Sequence, residues 1–165
     1  MKIQLKIDES GQWPFYQAYH DIASILRHDC SKDIPLREPR ETRLYRLKNP
    51  GGKEVVVYKI DEGLIKGNKN KKCDYGIYTE DDTLFLIELK GSDLNQAIDQ
   101  IHETITILLK RPHIPVRIVK ARVVLSKVRV PNIQSTKEKQ LKLLLQKSYG
   151  GGDFVKKTVC LEEQI

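Results

Sequence analysis

Apolar and polar positions alternate along residues 1–7, with Ile3, Leu5 and Ile7 on one side and Lys2, Gln4 and Lys6 on the other. A period of two predicts a strand. From Trp13-Pro14 the spacing changes. Phe15, Tyr19, Ile22, Ala23 and Leu26 share one face of a 3.6-residue period, which predicts a helix to about residue 27. Residues 33–42 carry Pro35 and Pro39 and read as loop. Residues 43–48 form a short basic strand candidate, followed by the turn Asn49-Pro50-Gly51-Gly52. Residues 55–60 are β-branched and apolar, which predicts a strand. A lysine-bearing loop over 63–72 separates it from strands at 73–79 and 83–89. The acidic link Glu80-Asp81-Asp82 joins those two as a hairpin.

The next stretch has the clearest pattern in the chain. Ser92 is a natural N-cap, and Asp93 suits the first turn of a helix. Leu94, Ala97, Ile98, Ile101, Ile105, Leu108 and Leu109 then recur at spacings of three and four, drawing one apolar stripe along about five helical turns. Pro112 and Pro115 close it. Residues 116–125 predict a long strand whose Val123-Val124-Leu125 end is apolar on both faces. Residues 136–147 predict a second amphipathic helix with Leu141, Leu144 and Leu145 inward, stopped by Gly150-Gly151-Gly152. Residues 154–161 predict a closing strand. Hairpin-linked strands followed by a crossover helix imply an α/β fold of α+β character, a central mixed β-sheet flanked by helices.

Composition narrows the setting. The chain has 165 residues, which fits one domain over 1–165. Hydrophobic residues are 39% and charged residues 31%, a globular balance. No uninterrupted apolar run is longer than residues 84–87, so neither a bilayer span nor a secretory segment is expected. Cys30, Cys73 and Cys160 are odd in number and far apart, with no Cys-x-x-Cys pair, so a structural zinc is not expected. A reducing, cytoplasmic setting fits that usage. The formal net charge is +7, which makes nucleic acid the first class of partner and an anionic membrane the second. No basic helix opposes an exposed apolar face, so a membrane partner is set aside.

The candidate chemistry lies between Asp74 and Lys90. Asp74 sits near the start of one hairpin strand; Glu88 and Lys90 flank Leu89 at the end of the other. Residues two apart on a strand share a face, and hairpin pairing sets Asp74 beside Glu88. Two carboxylates with a backbone carbonyl, here that of Leu89, make a hard oxygen site suited to Mg²⁺ or Mn²⁺. Such an ion polarises a phosphoryl oxygen and acidifies a bound water, while a neighbouring lysine acts on that water or on the phosphate. Basic residues surround this stretch. The loop before Asp74 bears Lys66, Lys69, Lys71 and Lys72. Residues 110–147 hold eleven Lys and Arg, Lys127 and Arg129 among them, against the single acid Glu138. Both regions are candidates for phosphate-backbone contacts, whose counterion release makes binding salt-sensitive.

Asp74, thirteen intervening residues and Glu88-Leu89-Lys90, preceded by the apolar residues 84–87 and followed by Gly91 and an amphipathic helix, resemble the PD-(D/E)XK nucleases of the restriction-endonuclease-like fold. Gln96 and Gln100 resemble the glutamine-bearing motif that several of those families place after Glu-x-Lys. The family core of helix, three antiparallel strands, helix and strand matches the predicted order over residues 13–125. The resemblance implies a metal-dependent endonuclease, with DNA favoured over RNA. It implies Asp74, Glu88 and the Leu89 carbonyl as metal ligands, and Lys90 with Gln96 in the catalytic set. Cys73 stands where the family name has proline, and Gln100 where some families have tyrosine. A further acidic ligand from the first helix is common in the family; Asp21, Glu38 and Glu41 are the candidates. Double-strand cutters often work as pairs, which admits a homodimer, and without a separate specificity region a targeting protein partner is also admitted. The alternative is an inactive module of the same fold that holds nucleic acid or a protein.

Overall fold

A computed structural model describes residues 13–91, 93–126 and 135–165, the side chains of Ile22 and Lys90 excepted. The strand expected at residues 1–7 lies outside the described residues.

The N-terminal region departs from the helix its apolar spacing predicts. Only α1, Pro14–Ala18, is α-helical; a 3-10 turn follows at Ile22–Ser24, and Ile25–Asp29 is strand β1. The break is local chemistry. The Asp21 carboxylate accepts the Ala23 N–H at 3.1 Å, giving the backbone a turn in place of the next helical bond. Beyond it the chain pairs antiparallel with β4, Val55–Lys59, with one register shift between Ile25 and Arg27.

Residues 33–36 are likewise strand and not loop. β2, Asp33–Leu36, pairs with β3, Leu44–Lys48. Pro35 is tolerated because β2 is the edge of its sheet among the described residues, where one side of the strand needs no N–H donor.

The hairpin forms as its polar link predicts, from β5, Tyr75–Thr79, and β6, Thr83–Gly91. Helix α2, Leu94–Ile105, follows directly and continues into a π-helical turn over Thr106–Lys110. Its N-cap is Asp93, which accepts the Asn95 and Gln96 N–H groups. That is one residue later than the expected cap Ser92, which lies outside the described residues. β7, Ile118–Leu125, returns parallel to β6. α3, Thr136–Ser148, is capped by Ser135.

The closing segment is two strands, not one. β8, Phe154–Thr158, runs parallel to β7, and β9, Cys160–Gln164, runs parallel to β3. Val159 turns the corner with φ +66°. Its N–H donates to Leu125 and its carbonyl accepts from Leu44, so the corner is bonded to both sheets.

Among the described residues two sheets result: a six-stranded mixed sheet in the order β1-β4-β5-β6-β7-β8, and a three-stranded sheet in the order β2-β3-β9. One face of the central sheet carries Val56, Tyr58, Leu84, Leu86, Val119 and Val123 against Phe15, the α2 stripe and Leu141 and Leu145 of α3. The other carries Val55, Val57, Ile77, Phe85 and Ile87 against Ile34, Tyr45, Leu47 and Leu161 of the small sheet. The helices thus lie on one side and a second sheet on the other. Among the described residues no helix is long and apolar enough to cross a membrane.

Candidate functional site

The β5–β6 pairing brings the two carboxyl residues together. The ladder runs from Thr79↔Thr83 to Tyr75↔Ile87, so Asp74 and Glu88 face each other one step beyond its end. Asp74 is fixed through its backbone: its N–H donates to the Ile87 carbonyl at 3.1 Å, and its carbonyl accepts from Ile60 at 3.0 Å. Its carboxylate Oδ2 accepts the Leu89 N–H at 2.8 Å. Glu88 continues the alternation of Leu84 and Leu86 and so projects to the helix side, while Leu89 packs toward the small sheet. Both carboxylates are closed to solvent, Asp74 at 2% and Glu88 at 0% exposure.

β6 carries a bulge at this place. Glu88 pairs with Val123 and Gly91 with Leu125, so β6 has one residue more than β7 across the Glu-x-Lys segment. A bulge bends its strand and re-aims a side chain, and bulges concentrate beside functional sites. Lys90 lies within this bulge; its side chain is outside the described part of the structure.

Helix α2 holds the approach to Asp74. The Cys73 N–H donates to Thr104 Oγ1 at 3.0 Å, and Gln100 Nε2 donates to the Lys72 carbonyl at 3.2 Å. The Cys73 thiol is held well above its ordinary range, first by burial, then by the Glu88 and Asp74 carboxylates beside it. A thiol so placed is a packing group, not a nucleophile. Thr104 was not among the residues singled out by pattern. Its one signal is a hydroxyl within the apolar stripe, between Ile101 and Ile105.

The remaining expected residues are distributed as follows. Gln96 is exposed on the first turn of α2, where its N–H serves the Asp93 cap. Lys66, Lys69 and Lys71 are exposed on the loop ahead of Asp74. Lys72 turns inward instead. It pairs with Glu62 at 2.8 Å and Asp61 at 3.3 Å and donates to the Gly67 carbonyl, and the Glu62 contact first of all raises its pKa. Lys127 and Arg129 lie outside the described residues.

Of the three further acids, Asp21 is exposed in its own turn and Glu41 pairs with Arg43 at 2.5 Å. Glu38 is buried, accepts Lys59 Nζ at 2.9 Å, and takes the hydroxyl of Tyr75. Burial first, then that hydrogen bond, raises the Tyr75 pKa. Tyr75 packs toward the small sheet, so Glu38 approaches from the face opposite that of Glu88. Among the described residues no group of three or more His, Cys, Asp or Glu side chains is gathered to hold a metal ion. The fit to a divalent cation therefore rests on two carboxylates and a backbone carbonyl. That donor set is hard oxygen throughout, as Mg²⁺ prefers, with water completing the shell.

No protein-family model, curated protein or solved structure significantly matches the chain.

Proposed function

We propose that this protein is a metal-dependent nuclease of the PD-(D/E)XK type, hydrolysing phosphodiester bonds with DNA favoured over RNA. The observation that carries the reading is the meeting of Asp74 and Glu88 across β5–β6, at a bulge that leads into a capped helix. The order β4-β5-β6-α2-β7, with β7 parallel to β6, supports it as the restriction-endonuclease-like core.

Asp74, Glu88 and the Leu89 carbonyl are the assigned holders of Mg²⁺ or Mn²⁺. When bound, the ion polarises the phosphoryl group and acidifies a water. Lys90 would orient the attacking water or, as an ammonium, neutralise charge developing on the phosphate. Gln96 stands at the mouth of α2 as a further polar group. The Leu89 N–H bond and the clamp by Gln100 and Thr104 keep Asp74 in register with Glu88.

A second reading is a non-cleaving module of the same fold that binds nucleic acid or a protein. The closure of both carboxylates to solvent favours it.

The deciding experiment is cleavage of a panel of duplex, single-stranded and branched DNA and structured RNA, with Mg²⁺, with Mn²⁺ and with EDTA. The nuclease reading expects metal-dependent products that Glu88→Ala abolishes and Lys90→Ala reduces by about 10²–10⁴-fold. Salt-sensitive binding with no cleavage under either metal transfers the assignment to the binding module.

A further inference from the structure

On the outer side of α2, two lysines from different elements converge on one carboxylate. Lys71, from the loop ahead of Asp74, reaches Asp99 Oδ2 at 3.0 Å, and Lys137, from α3, reaches the same oxygen at 2.7 Å. Two adjoining cavities meet there. One, of about 410 Å³, is bounded by Lys69, Asn70, Lys71, His102 and the acid Glu103; the other, of about 140 Å³, by Ile98, Lys137, Gln140 and His102; Asp99 borders both. They make one groove that runs from the loop, across α2, to α3.

The groove abuts the candidate site. The chain bearing Lys71 is the one that Gln100 and Thr104 hold against α2, and it enters Asp74 three residues later. We infer that this groove is a track for the phosphate backbone of a nucleic acid, with Asp99 standing in for a phosphate until the strand arrives. The inference rests on the nucleic-acid reading proposed above and says where the strand lies.

Three observations argue for that occupant. A phosphodiester carries the single negative charge of a carboxylate, and its two free oxygens accept two ammonium groups as Asp99 Oδ2 does alone. The lysine side chains are 60% and 49% exposed, so their pairs with Asp99 are weak and exchangeable. Lys69, Asn70 and His102 add donors along the larger cavity, and the further acid there, Glu103, is paired with Arg111 at 3.7 Å.

The test is binding of a fluorescent twenty-base-pair duplex in EDTA, where cleavage plays no part, followed across salt concentration. Lys71→Ala and Lys137→Ala are each expected to lower the slope of log affinity on log salt by about 0.9. Asp99→Asn is expected to tighten binding by about threefold to tenfold, since it releases both lysines. A purely structural role for Asp99 gives no tightening. Salt-dependent binding that none of the three substitutions changes places the strand elsewhere and overturns the inference, leaving the nuclease reading intact. Absence of binding at low salt also overturns it, and metal-dependent cleavage then judges the nuclease reading separately. Displacement of the duplex by polyglutamate at equal charge concentration overturns it in favour of an acidic protein partner.

Discussion

Arg122 is the residue at which charge and burial meet most sharply. It is 1% exposed and holds Glu163 through Nε at 2.6 Å and Nη2 at 3.0 Å, and Asp153 through Nη1 at 2.8 Å. The Tyr45 hydroxyl donates to the same Glu163 at 2.7 Å. Removing the guanidinium strands these acceptors, so Arg122→Ala is expected to cost about 3–5 kcal/mol in urea unfolding. In the sequence Arg122 is one of a run of basic residues and reads as surface charge. Its acidic partners come 31 and 41 positions later, beyond any local pattern. Glu138 behaves in the same way: the lone acid of that run is 1% exposed, between Lys142 at 3.1 Å and Lys156 at 2.8 Å. Burial pulls its pKa up, but the Lys156 and Lys142 contacts outweigh it and leave the pKa lowered. A carboxylate depressed in the folded state stabilises above its unfolded pKa, about 4.3. That stability is lost as pH falls through the folded value. Thermal melting from pH 7 to pH 3 is therefore expected to drop below about pH 4.5, and Glu138→Gln to flatten that part of the profile.

At the scale of elements, the bond from Cys73 N–H to Thr104 couples a helix to the strand that presents Asp74. Thr104→Val keeps the shape and deletes the acceptor, leaving a buried N–H unpaired at about 1–3 kcal/mol. The expected result is a lower melting temperature and, if the nuclease reading holds, slower cleavage at unchanged duplex affinity. The corner at Val159 offers the opposite change. A β-branched residue at φ +66° is strained, and this one is 51% exposed, so its side chain contributes little packing. Val159→Gly relieves that strain against glycine's greater chain entropy, for an expected net gain of about 1 kcal/mol in chemical denaturation. The elements best read in advance were those whose pattern and packing agree: the hairpin, α2, β7 and α3. The helix over 13–27 failed because a helical apolar spacing does not register tertiary pairing, and Leu26, counted in that face, is 52% exposed on β1. The Asp21 turn and the open edge of β4 then decided for the strand.

For the whole molecule, the run from β4 to β7 was legible because neighbours in sequence are neighbours in space. The pairing that sets Asp74 against Glu88 came with it, since register follows from a short link. The bulge at Glu88 to Gly91 did not, because it is defined by the partner strand β7. The small sheet was also hidden: β2 carries a proline, and β9 runs on from β8 with only Val159 to divide them. That sheet has a consequence for how the chain is made. Tyr45 and Glu163 are 118 residues apart in sequence, yet β3 and β9 lie side by side. During synthesis from the N-terminus, β3 emerges long before β9 and has one bare edge in the interval. The face of the central sheet that the small sheet covers stays incomplete for the same time. Nascent chains halted before β9 are thus expected to pair wrongly or to be held by chaperones, and closure of the small sheet waits for β9 to leave the ribosome.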